Sequence, residues 1–324
     1  MIVLNKLRNR HVLIDNTEDI IKKELLGIIK TRPNYYELVD DEYGFGLMLK
    51  NLNQDKVGVI ASGGGGLGRL FPAVVHENLA DAVSAGEMDT APNYFTIYNL
   101  AKKINTGKGV ILLTNNYSGD VMNNEMAQEM LEADGIPATI CKVTDNFFSS
   151  KEKSKRSGLS GILTLIKIAQ AAAKKGLDLK EVTRIVENAN QKLISVTVMA
   201  SEEGVLMYGK GLADEPAKFT SDFSGENDLI KELSNFVIEQ IKEDSTNKIS
   251  IQLNTMKYTS YIEGNVLLNG ITDYFSNEGF DVVLANVGGY YDMFNYPGVI
   301  LTVLSVDEQT LEFIKPVTNY DYTI

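Results

Sequence analysis

Basic charge is what this sequence is short of. Against 43 aspartates and glutamates stand 31 lysines and arginines, giving a formal net charge of −12 at pH 7 and a pI near 4.8. An acidic surface repels phosphate, so direct contact with DNA or RNA is not expected. Cysteine occurs once, as Cys141 in the apolar run "ATICKV". It cannot form an internal disulfide; it reads as a small core residue, and the chain reads as cytoplasmic. Histidine occurs twice. His11 stands with Arg8 and Arg10 near the start, and His76 stands in "AVVHENL", read as the beginning of a helix. Two separated imidazoles give neither a metal cluster nor a Ser-His-Asp arrangement. No apolar run approaches the roughly 18 residues that span a bilayer. The opening "MIVLNKLRNRHVLI" is too short and too polar for a secretory leader.

What is present is an ordinary globular composition, 44% hydrophobic and 23% charged over 324 residues. That length exceeds what one core usually serves, so two domains are expected. "KVGVIAS", "GVILLTNN" and "ATICKVTDN" are short apolar or β-branched runs that read as buried strands. "LADAVSAG", "YFTIYNLAKKINTG" (with Gly107 as its C-cap residue) and "NNEMAQEMLEADG" read as helices between them. An earlier helix, "NTEDIIKKELLGIIKT", takes Asn16 or Thr17 as its cap. Strand, glycine loop, helix, strand, polar loop, helix, strand is a repeated βαβ pattern. It predicts an α/β fold: a doubly wound, mainly parallel sheet with helices on both faces over 1–180. Two further helices follow, "GLSGILTLIKIAQAAAKKG" and "LDLKEVTRIVENANQKL". Then "ISVTVMAS", "EGVLMYGKG", "SIQLNTM", "FDVVLANVGGYY" and "GVILTVLSVD", with helices near 226–243 and 262–278, predict an α/β mixed-sheet domain over 181–324.

In a doubly wound sheet, ligands bind beyond the carboxyl ends of the strands. Two loops fall there. The first, "SGGGGLGRLFP", holds Gly63, Gly64, Gly65 and Gly66. It lacks the Lys-Ser/Thr ending of a phosphate-binding loop and the spacing of the dinucleotide fingerprint, so no cofactor is expected. It is either a tight strand-to-helix turn or a backbone cradle for a small polar ligand, and nearby Arg69 would invite an anion. The second, "NNYSGD", holds Asp120. That carboxylate either caps a helix starting near Val121 or accepts hydrogen bonds from a ligand hydroxyl. The basic run "KEKSKR", 151–156, is either a solvated loop or a docking patch for an acidic partner.

These stretches together resemble the substrate-binding K subunit of dihydroxyacetone kinase, over nearly the whole chain. "KVGVIASGGGG" is similar to that family's Ser-Gly-Gly-Gly loop, and "AVSAGEMDTAP" to its Ala-Gly turn. "NNYSGDVMNNEMAQE" is similar to its Asn-Tyr-x-Gly-Asp motif, and "SGLSGILTLIKIAQAAA" to its Gly-x-x-Gly helix. "GKGLADEPA" is similar to its Gly-(Ile/Leu)-His-Gly-Glu-Pro-Gly motif, and "VGGYYDMFNYPGVILTVLSVDE" to its C-terminal motifs.

The resemblance implies a dihydroxyacetone site, a place in glycerol metabolism and a homodimer, to which the apolar strand "GVILTVLSVD" could contribute. It also exposes departures. The family's covalent histidine falls on Ala213, which has no nucleophile. Its acid/base histidine falls on Arg69 or Leu70, and neither titrates as an imidazole does. Its lysine falls on Asn115, while its aspartate is kept as Asp120. His76 is the one histidine near enough in sequence to replace the lost acid/base group. Three readings follow. The first is a non-catalytic paralogue that binds a small polyol or ketose noncovalently through Gly63–Gly66, Arg69, Asn115, Asp120 and the Ala213 position. It would work as a sensor or co-activator through a protein partner such as a transcription factor. The second is a kinase subunit with a rewired site, taking phosphate through an L-type partner subunit. The third is a structural paralogue with no small ligand.

Overall fold

The computed structural model describes residues 19–52, 55–65, 70–88, 90–211, 215–242, 244–292 and 296–314. His11, Asn16, Thr17, Gly66, Arg69 and Ala213 lie outside them. Two six-stranded sheets carry the fold. The first contains β1 (Tyr36–Asp41), β2 (Gly44–Leu49), β3 (Gly58–Gly65), β4 (Ala82–Met88), β5 (Val110–Asn115) and β6 (Ala138–Val143), in the order β1-β2-β4-β3-β5-β6. β4, β3, β5 and β6 run parallel, and the β1–β2 hairpin adds an antiparallel edge. Helices α1 (Ile20–Thr31), α2 (Leu70–Ala73), α3 (Tyr94–Ile104) and α4 (Ser118–Ala133) accompany this sheet. β5 is buried along its whole length, as a parallel strand covered on both faces must be.

Helices α5 (Gly161–Lys174) and α6 (Leu179–Gln191) lead to the second sheet. It contains β7 (Leu193–Ala200), β8 (Val205–Tyr208), β9 (Phe219–Asp222), β10 (Lys248–Thr255), β11 (Asp281–Gly288) and β12 (Gly298–Ser305), ordered β11-β10-β12-β7-β8-β9. Only β10 and β11 pair in parallel, so this sheet is mixed, as expected. Helices α7 (Glu226–Ile241), α8 (Tyr261–Asn277) and α9 (Glu308–Ile314) belong to this half. α8 opens with a capping box between Ser260 and Glu263. Helix α5 is buried almost all round: Ile162, Leu165, Ile166 and Ile168 join one core with Val59 and Leu113 of the first sheet and Ile300 and Leu304 of the second.

Several local expectations are corrected. "LADAVSAG" is not a helix; its second half is β4. Ala82, Val83, Ser84 and Ala85 are all buried beside β3, and packing there overrides alanine's helix preference. His76 does not start a helix; α2 ends at Ala73, and His76 lies in a turn closed by its backbone bonds with Leu79 and Ala80. Helix α3 ends at Ile104 with Asn105 as cap residue, and Gly107 lies beyond it with φ +92°. β12 is an inner, buried strand between β10 and β7, so "GVILTVLSVD" offers no surface to a second copy. The basic run is partly spent internally: Lys153 donates to the Leu193 carbonyl, and the Arg156 guanidinium lies 5.2 Å from the Phe147 ring centroid while its Nε donates to Ser150 O, whereas Lys151 and Lys155 are exposed. Cys141 is buried, and burial pushes its thiol up to about 12.

Candidate functional site

From β3 the chain passes to β4 on one side, and from β4 it crosses to β5 on the other. The crevice beyond the carboxyl ends of β3 and β5 is therefore the topological switch point, where open α/β sheets bind ligands. Ser62 and Thr114 are register partners just below it. The glycine run is less of a loop than its composition suggests. Gly63 and Gly65 still pair with Ala85 and Met88 of β4, across an irregularity in the register. A Cβ at Gly63 would fall inside the Phe71 ring, and one at Gly65 would strike the Gly86 carbonyl. Close packing within the chain thus accounts for those two glycines. Gly64 differs: its nearest neighbour is the Thr90 carbonyl, 3.3 Å from where a Cβ would stand.

Beyond β5, helix α4 begins at Ser118, three residues earlier than the cap reading of Asp120 required. Asp120 lies in its first turn, and its side chain does not cap the helix. Its Oδ1 is shut off from solvent and has no hydrogen-bond partner. Burial pushes the carboxyl up to about 6. One turn on, the Asn124 side chain donates to the Asp120 carbonyl at 2.8 Å and to Ser62 Oγ at 2.9 Å, tying the helix to β3. Asn115, the last residue of β5, donates from Nδ2 to the Tyr291 hydroxyl. The Tyr117 hydroxyl is buried beside Ser157 and Glu215, without meeting hydrogen-bond geometry to either, and burial holds it well above the usual tyrosine range.

The second sheet supplies the opposing wall. Asn254 Oδ1 accepts from the Tyr290 and Tyr291 backbone N–H groups at 2.8 and 2.7 Å, and its Nδ2 donates to the Tyr291 carbonyl at 3.0 Å. That grip holds the Tyr291 ring edge-on to Phe71, with centroids 6.3 Å apart. Gly158 packs so closely over the Asn115 amide that a side chain there would collide with it. Sequence reading singled out Asn115 and Asp120, and the structure brings both to this crevice with Gly63, Gly64 and Gly65. It missed Phe71, Tyr117, Asn254 and Tyr291. Tyr117 and Phe71 stand inside the two loops already singled out, "NNYSGD" and "SGGGGLGRLFP", and Tyr291 stands in "VGGYYD", but none of these aromatic residues carries a local mark of a site.

His76 is not at the crevice. It precedes β4, near Tyr35 and the Asp81 end of the sheet, whereas the crevice lies at the far ends of the strands. Its Nδ1 accepts from Asn78 N at 3.2 Å, and burial holds its pKa below the usual histidine value. Among the described residues, no group of three His, Cys, Asp or Glu side chains could hold a metal ion. The described crevice can accept hydrogen bonds from hydroxyl groups, chiefly through Asp120.

The Dak1 domain matches residues 26–321. The PTS-dependent dihydroxyacetone kinase 2, dihydroxyacetone-binding subunit DhaK of Listeria innocua is 25% identical over 324 residues, covering 96% of this chain and 98% of that subunit. The L-erythrulose kinase of Pectobacterium atrosepticum is 30% identical over 277 residues, covering 79% of this chain and 47% of the kinase, so the match spans about half of that relative. Among solved structures, the dihydroxyacetone kinase operon co-activator Dha-DhaQ has a likeness in fold. Its TM-score is 0.81 at 22% identity, covering 90% of this chain and 94% of that one.

Proposed function

This chain belongs to the Dak1 domain family, and on that premise we propose that it binds a small polyol or ketose such as dihydroxyacetone noncovalently and acts as a sensor or co-activator through a protein partner. One observation carries the reading. The polar ligand group of the crevice is retained as Asp120, buried at Oδ1 and unpartnered, while the positions of the two family histidines read Ala213 and Arg69 or Leu70. A carboxylate accepts from two hydroxyls of a polyol. Alanine cannot form the hemiaminal, and neither arginine nor leucine can relay the proton. His76 sits at the wrong end of the sheet to substitute.

Action through a partner is supported by the surface as well as by charge. An apolar groove of ≈ 420 Å³ runs between the starts of α7 and α8, with Phe223, Ile262 and Val266 among its lining residues. Ile262 is 75% and neighbouring Tyr261 73% exposed, which is unusual for a surface that contacts only water. A homodimer and a cytoplasmic location belong to the same reading; among the described residues, no helix is long and apolar enough to cross a membrane.

The alternative is a kinase subunit in which Asp120, raised towards neutrality, serves alone as base and an L-type partner subunit delivers phosphate. Mixing the chain with an L-type subunit and its phosphate donor, with dihydroxyacetone as acceptor, decides between them. The proposal expects binding without phosphorylated product. Sustained turnover abolished by Asp120→Asn would establish the alternative.

A further inference from the structure

A second cleft lies on the other side of the Thr90 backbone, at the carboxyl end of β4. Its volume is ≈ 340 Å³, and Tyr43, Phe45, Ser84, Glu87, Asn93 and Asn123 are among its lining residues. Ser84 is 0% exposed, and its Oγ has no hydrogen-bond partner. An unsatisfied buried hydroxyl costs roughly 1–3 kcal/mol, a cost that a bound ligand would remove. The two asparagines are oriented from behind. Asn93 Oδ1 accepts from Phe95 N at 2.8 Å, leaving Nδ2 to donate. Asn123 Oδ1 accepts from Tyr94 N at 3.1 Å, and its Nδ2 donates to Gly119 O at 2.8 Å, which fixes the amide with one proton and one lone pair to spare.

The lining defines a ligand class. No lysine or arginine stands among the described lining residues, and the Glu87 carboxylate repels anions. Hydroxyl, amide and carboxylate groups share the lining with the Tyr43 side chain, which suits a molecule with hydroxyls on its edges and C–H groups on its faces. A volume of ≈ 340 Å³ is at the small end for ligand pockets and admits a polyol or sugar of four to six carbons. We propose that this cleft is a binding site for an uncharged polyol or sugar of that size, separate from the Asp120 crevice. Gly64 backs onto Thr90, so the two sites share one wall.

Titration calorimetry on the full chain tests this with erythritol, xylitol and D-glucose as probes and D-glucose 6-phosphate as the anionic control. At least one uncharged probe is expected to bind with Kd below about 10 mM, and the phosphate ester to bind more weakly. Ser84→Ala should weaken that binding about three- to tenfold without lowering Tm, because Ser84 donates to nothing in the free protein. Asp120→Asn should leave it unchanged. Three results would overturn the proposal: no binding by any uncharged probe, affinity indifferent to Ser84→Ala, or binding abolished by Asp120→Asn, which would assign the heat to the crevice instead.

Discussion

The Tyr291 hydroxyl accepts from the Asn115 side-chain amide, joining the second sheet's connection to the end of β5 in the first. Both residues are buried, so the bond is shielded from water on both sides. Tyr291→Phe would strand the Asn115 amide. Chemical denaturation should show a loss of about 1–3 kcal/mol. The double variant with Asn115→Leu should lose less than the sum of the two single changes, because no unpaired polar group remains.

Asp120 makes stability depend on pH. Burial raises its native value from an ordinary 3.8 to about 6. The native state therefore holds its proton where the unfolded chain has released it. The stabilising contribution is complete below pH 4 and is lost as pH rises through about 6. The span corresponds to at most roughly 3 kcal/mol. Denaturation followed from pH 4 to 7 should show this fall in the wild type, and Asp120→Asn should flatten it. Ligand hydroxyls donate to the ionised form, so polyol binding to the crevice should tighten over the same interval.

Gly63 has no room for a methyl group because the Phe71 ring occupies it. Gly63→Ala should cost about 1–3 kcal/mol by overpacking. In a Phe71→Leu background the same change should cost less, and a double-mutant cycle on thermal unfolding would measure the coupling. Equal costs in both backgrounds would mean that the glycine serves the backbone rather than the ring.

At the opposite end of the sheet, Lys56 and Asp81 form an ion pair with side chains 4% and 3% exposed. Gln170 Oε1 accepts from Lys56 Nζ at 3.0 Å, and Val59 N donates to Asp81 at 2.8 Å. Lys56→Met leaves a buried carboxylate without its cation and should lose about 3–5 kcal/mol. Adding Asp81→Asn should recover part of that loss, since the amide oxygen can still accept from Val59. Urea denaturation would read both.

Much of this arrangement is legible in the sequence. β5 and β12 are largely apolar runs and β3 begins as one, as parallel or inner strands buried on both faces demand. β4 is not legible, since its alanines mimic a helix until β3 is known to lie beside it. The crevice divides in the same way. Asp120 follows a Ser-Gly turn after a strand, a local pattern with a local meaning. Tyr291 stands 176 positions from Asn115, and Asn254, which holds its backbone, lies on a third segment. No spacing rule relates those positions, because only the packing of two sheets around α5 brings them together. The glycine run misleads for a related reason: Gly63 makes room for the Phe71 ring, which folds back from the same segment, and Gly65 for the Gly86 carbonyl, and no composition rule announces either contact.

Calorimetric titration with dihydroxyacetone, paired with the intact mass of the saturated protein, decides whether the site is retained for noncovalent binding without the chemistry to act on its contents. Saturable binding is expected, weakened by Asp120→Asn by about tenfold or more through loss of hydrogen bonds to a charged acceptor, with a mass equal to that of the unmodified chain. A covalent adduct, or binding indifferent to Asp120→Asn, would contradict this expectation.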